Sequence, residues 1–152
     1  MTLDLLFNGA NIFVLPFWVL MVLLPNWEVT RRIMASPLPF MALAGLYLYL
    51  FISAFDASSA ADFASLQLAD VARLFSNQQV AAAGWVHYLV MDLFVGRWIY
   101  QEGQRTGVWT LHSLVLCLFA GPLGLLSHLL TSTIVDRFWL NRTPSEASET
   151  ST

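Results

Sequence analysis

Four stretches free of Asp, Glu, Lys and Arg limit what this chain can fold into: Leu5 to Trp27, Ile33 to Phe55, Leu74 to Met91 and Thr106 to Val135. At roughly 1.5 Å of helical rise per residue, each can cross or nearly cross a hydrocarbon core about 30 Å thick. The residues are 57% hydrophobic and 11% charged, with a mean hydropathy of +0.64, well outside the balance of an ordinary soluble domain. The pattern predicts an all-α integral membrane protein with four transmembrane helices.

Proline and polar punctuation set the expected boundaries. The first helix is expected over about residues 4 to 25, kinked at Pro16 and stopped at Pro25, because proline lacks a backbone donor and crowds the preceding turn. The second is expected from about Pro37 to Phe55, the third from about Val80 to Tyr100, and the fourth from Thr110 to about Val135 with Gly121-Pro122 near its centre. In the polar connection between the second and third, Leu66 to Phe75 has the apolar spacing of a short interfacial helix. Residues 1–136 form one four-helix transmembrane domain, and residues 137–152 are expected to be a polar, disordered tail.

The N-terminal MTLDLLFNG has an acid where a signal peptide needs a basic region, so the first span is expected to be retained. The expected location is a bacterial cytoplasmic or thylakoid membrane, or a plastid membrane. All seven basic residues are arginine, the net charge is -3, and nothing basic clusters beyond Arg31 and Arg32, so nucleic-acid binding has no electrostatic footprint. Arginine placement gives a weak orientation with both termini outside. Trp27, Trp98, Trp109 and Trp139 fall near span ends, as interfacial anchors would. Cys117 stands alone in an apolar span and reads as a packing residue.

The third stretch, which already holds His87, can reach across a bilayer only if it carries Asp92 and Arg97 with it. A carboxylate at that depth costs roughly 2.5–3.5 kcal/mol and has to be paired, solvated or protonated. Gly84, Tyr88, Asp92 and Gly96 fall on one i, i+4 stripe, which favours a face packed on other helices or on a ligand. Treating the third and fourth helices as antiparallel rods gives two polar zones: an outer one with His128, His87, Asn8 and Asn11, and an inner one with Arg97 and His112. Asp92 lies between them. Arg97 reads equally well as a snorkelling residue, and His112 and His128 as hydrogen-bonded structural residues. Phosphate-binding glycine loops, CxxC and HExxH are absent from the sequence, and the histidines are too scattered to define a metal site, so neither metal nor cofactor is expected.

VHYLVMDLFVGRWIYQEG from Val86, followed by HSLVLCLFAGPLGLLSH from His112, resembles the plant neoxanthin synthase family, named for the abscisic-acid-deficient plants that lack it, and its bacterial relatives. NIFVLPFWVLMVLLPNWEVTRR and ADVARLFSNQQ are similar to the same family, so the likeness covers nearly all of residues 8 to 135. It departs at Gly96-Arg97-Trp98, where the plant pattern has small residues and a glutamine. The resemblance implies a four-helix membrane protein acting on xanthophylls without a cofactor, by opening a 5,6-epoxide to an allene, as in violaxanthin to neoxanthin. That chemistry needs a base for a polyene proton and a donor for the oxygen. His87, Asp92 and His128 are the catalytic candidates, with histidine as base and protonated Asp92 as donor. Asn11, Tyr88, Arg97 and His112 are the substrate-binding candidates. The alternative is a non-catalytic protein that binds carotenoid or lipid, an accessory subunit of a photosynthetic complex or a homo-oligomer. A small transporter is the weakest reading, since the chain has no inverted repeat.

Overall fold

The computed structural model describes residues 2–54 and 67–140, and every element among them is helical. We number the helices α1 (Leu3–Leu23), α2 (Glu28–Ala35), α3 (Leu38–Ala54), α4 (Leu68–Leu74), α5 (Gln78–Thr106), α6 (Leu111–Phe119) and α7 (Gly121–Leu140). The tail from residue 141 onward lies outside the described residues.

α5 is the central element. Its 29 residues make a rod about 43 Å long at 1.5 Å per residue. Asn77 caps its first turn, the side-chain oxygen accepting from the N–H groups of Gln79 and Val80. α1 runs parallel to α5: Asn11 meets Trp85 near the upper end, where both helices begin, Trp18 lies against Gly96, and Tyr100 donates to the Pro25 carbonyl at the lower end. α3 runs antiparallel on the other flank, with Phe40 edge-on to Phe94 low down and Tyr47 against His87 higher up. The core between them is apolar, built from Val14, Met21, Leu43, Val86, Leu93 and Ile99.

α1 is, by itself, long and apolar enough to cross a bilayer. α2 and α3 pass the same test only together, bent by 43° at Ser36-Pro37. Pro16 sits within α1 without ending it. The short helix expected near residues 66–75 is present as α4.

The expected single fourth helix is absent. Ala120 is extended (φ -159°, ψ 100°), and the chain reverses there, so α6 and α7 lie side by side as a hairpin. Ser113 Oγ lies 3.1 Å from Ser127 Oγ, and His112 Nε2 lies 2.9 Å from Thr131 Oγ1. In a continuous helix those pairs would stand about 21 Å and 28 Å apart. Two glycines permit the reversal. A Cβ on Gly124 would overlap the backbone of Cys117, and one on Gly121 would overlap the Asp92 carboxyl, so only glycine allows this close approach. Pro122, in the first turn of α7, needs no intrahelical donor there.

The reversal also corrects the depth assignment of His128. It returns down the molecule with α7 and stands edge-on to Trp98, 5.3 Å between ring centroids, near His112 and far from His87. The polar zone that pairs His128 with His87 does not form.

Candidate functional site

Because the hairpin reverses at Ala120, it covers only the lower part of the flank that α1 and α5 present. Above its tip the two helices leave a lateral groove of about 270 Å³. Trp85 and Trp18 wall it, Asn11 and Leu15 stand on the α1 side, and Leu118 and Asp92 lie toward the hairpin. Asp92 is the one ionisable side chain among its described lining residues.

Each wall residue is held in place. Asn11 donates through Nδ2 to the Phe7 carbonyl at 2.8 Å and accepts the Trp85 indole N–H on Oδ1 at 2.8 Å. The indole is thereby fixed as a wall with its edge satisfied, as a tryptophan facing an apolar space requires. Trp18 is buried, its ring tip on the bare face of Gly96. Asp92 is half-buried and accepts a hydrogen bond from the backbone N–H of Gly121. That N–H opens α7, so the carboxyl completes a helix N-terminus that ends inside the protein, where unpaired donors and the positive end of the dipole favour an acid. The Cys117 thiol donates to the Asp92 backbone carbonyl at 3.4 Å and ties the tip to α5 a second time.

This groove brings together two of the seven candidates, Asn11 and Asp92. His87 precedes Asp92 by five residues, about 140° around the helix, and faces the other flank. There it lines a separate groove of about 210 Å³ with Tyr88, Tyr47, Phe51 and Phe75. Its ring lies 5.4 Å from Tyr47 and 6.2 Å from Tyr88. Arg97 is taken up by the lower end: Nε donates to the Met34 carbonyl at 2.6 Å, Nη2 to Ala35 at 3.2 Å, and the guanidinium stands over the Phe40 ring at 4.9 Å. Those contacts close the C-terminus of α2. His112 and His128 lie within the hairpin, His112 between Trp109 and Thr131 and His128 1% exposed.

Sequence reasoning passed over Trp18, Trp85 and Gly121. The signal for Trp85 is its spacing: 85, 89 and 92 follow i, i+4, i+7, a face as regular as the stripe through 84, 88, 92 and 96. Nothing local to the sequence links Gly121 to Asp92, since that contact exists only once the hairpin closes. Among the described residues, no group of three or more His, Cys, Asp or Glu side chains could hold a metal ion.

Fold and groove define an all-α protein whose folded-back hairpin delivers a helix N-terminus to a single buried-edge acid. Residues 5–128 match the model of the ABA DEFICIENT 4-like family, and the chain belongs to that family. It is 35% identical over 128 residues to Protein ABA DEFICIENT 4, chloroplastic, of Arabidopsis thaliana, a match that takes in 81% of this chain and 58% of the relative. The chain thus spans a little over half the length of that relative. No solved structure matches.

Proposed function

We propose that this protein is an integral membrane protein of xanthophyll metabolism, and that the groove above the hairpin holds one end ring of a carotenoid. The observation that carries the reading is Asp92: one carboxyl group, held by Gly121 N–H, at an apolar groove walled by two indoles. Such a groove suits a flat apolar body bearing an oxygen at one end. Relationship to a protein of the ABA DEFICIENT 4 family supports the substrate class.

The proposed membrane arrangement has three crossings rather than four. α1, the bent α2–α3 pair and α5 cross, and the α6–α7 hairpin enters from the lower side and returns to it. The nine residues of α6 span only about 13 Å, too short for a crossing. A broken helix at membrane depth is tolerated when its free backbone groups are met by protein, as Asp92 meets Gly121.

The proposed reaction is the intramolecular opening of a 5,6-epoxide to an allene. Asp92 in its neutral form can serve both ends of it. Its O–H gives a proton to the epoxide oxygen as the ring C–O bond breaks, and its carbonyl oxygen takes the proton from the adjacent polyene carbon as the new double bond forms. The carboxyl ends neutral, and atoms and charge balance within substrate and Asp92. His87, on the other flank, and His128, shut within the hairpin, have no part in this scheme. The second reading, a carotenoid or lipid binder without chemistry, is favoured by the lack of any histidine among the groove's described lining residues.

Expression in a host that accumulates violaxanthin, followed by pigment chromatography, tests the proposal. The expected result is neoxanthin formation that Asp92→Asn lowers at least 100-fold while His87→Ala leaves it within about threefold. Pigment that co-purifies unchanged with the wild-type protein points to the binder, and loss of conversion in His87→Ala moves the chemistry to the other groove.

A further inference from the structure

His128 lies outside the chemistry above and is the most anomalous polar group in the protein. It is 1% exposed, and neither of its ring nitrogens has a hydrogen-bond partner among the described residues. Nδ1 of His112 is buried and unpartnered as well. A buried polar atom without a partner is costly, and native proteins meet such atoms with protein groups or with bound water. The neighbouring His112 stands among hydroxyls: Ser113 lies 3.1 Å from both His112 and Ser127, and Thr131 lies 2.9 Å from His112. Trp98 closes the side toward α5 with its ring edge-on to His128. Toward the lower end stands Glu102, whose charge acts on His128. Glu102 accepts from Arg105 Nε at 3.0 Å, so an ion pair marks the lower side of the cluster.

We infer that the lower half of the hairpin encloses a water-binding site centred on His128, reached from the lower face past Glu102. Imidazole nitrogens and hydroxyls offer both donors and acceptors, and a buried water takes about three such partners. An apolar ligand would leave the three imidazole nitrogens unmet, whereas water can donate to or accept from each of them. The site gives the hairpin interior a route for exchange with solvent while its outer faces, such as Leu129 at 46% exposed, remain apolar.

The inference uses the membrane placement proposed above but not the pigment chemistry, so its test needs no carotenoid. In a Cys117→Ala background, single cysteines are placed at Ser127 inside the hairpin, at Leu129 on its outside and at Arg137 near the exposed end. Intact membranes are then treated with a small water-soluble methanethiosulfonate. Labelling at 127 and 137 with 129 protected is the expected result. Protection of 127 while 137 reacts shows a dry interior and overturns the site. Reaction at all three places the hairpin in bulk water, which overturns the enclosed site and the membrane placement together. Thermal unfolding of the full chain in detergent gives an independent reading. His128→Leu strips bound water of its partners and is expected to lower the midpoint by a few degrees, whereas in a dry cluster it removes two unmet nitrogens and raises it. A raised midpoint overturns the proposal.

Discussion

Arg97 and Asp92 show how two ionisable side chains on one helix are placed by backbone groups rather than by each other. Arg97 closes two carbonyls at the end of α2, and Asp92 meets the N–H that opens α7. Each side chain lies at a helix terminus whose orphan backbone groups it can meet, a donor at carbonyls and an acceptor at an N–H. Arg97→Ala leaves the Ala35 carbonyl without this donor and removes the stacking on Phe40, at a cost of about 2–3 kcal/mol. Arg97→Lys is expected to recover less than half, because an ammonium cannot reproduce the planar fork that reaches two carbonyls. Denaturant titration of both variants in micelles, followed by far-UV circular dichroism, checks the order wild type, Lys, Ala. Equal stability of the Lys and wild-type proteins would mean that charge alone matters there. That Asn11 and Asp92 would be held by partners was legible in the sequence because a polar side chain in an apolar stretch must find a use. Their grouping without His87 was not, since a stripe drawn on one helix cannot say which neighbour covers which face.

At the scale of elements, hydropathy locates helices but gives no direction of travel. α1 and α3 lie close to their expected bounds because proline and charge stop them, and α5 extends past its expected end because GlnGluGlyGlnArgThr continues a helix that solvent can cover. The stretch from Thr110 to Val135 reads as one span on composition alone. What divides it is three-dimensional: Gly121 fitting against Asp92 and Gly124 against Cys117, both contacts with residues remote from the break. Cysteines at 113 and 127, again with Cys117→Ala, test the hairpin directly. Their parent hydroxyls are 3.1 Å apart, within reach of a disulfide, so rapid oxidative cross-linking is expected. A continuous helix keeps the same thiols about 21 Å apart and cannot close the bond. Adding Gly124→Leu drives a side chain into the α6 backbone and is expected to slow cross-linking at least tenfold and to cost upward of about 2 kcal/mol.

For the whole molecule, the hairpin changes the side on which the chain ends, and with it the charge balance between the two faces. On the three crossings proposed above, the N-terminus lies at the upper face and the hairpin returns α7 to the lower one. Among the described residues, Arg31, Arg32, Arg97, Arg105 and Arg137 then lie toward the lower end, against Arg73 at the upper end. Four full spans would instead carry Arg137 to the upper face and blunt that asymmetry. Arginine bias near span ends sets orientation, so the lower face is expected to be cytoplasmic or, in a plastid, stromal. Under the proposed crossings, the expectation that both termini lie outside gives way to an external N-terminus and an internal end of α7. Reporter fusions that are active on only one side of a bacterial inner membrane check it, with a cytoplasm-active reporter giving signal at the C-terminus and a periplasm-active one at the N-terminus. A periplasm-active signal at both ends requires a fourth crossing, and no arrangement of the hairpin described here supplies one. The same asymmetry fixes where the groove opens. It lies on the upper side of the hairpin tip, so an end ring entering it comes from the leaflet opposite the arginine-rich face. Charged reagents confined to the cytoplasmic side should therefore reach a cysteine at Ser127 but leave one at Leu15 untouched.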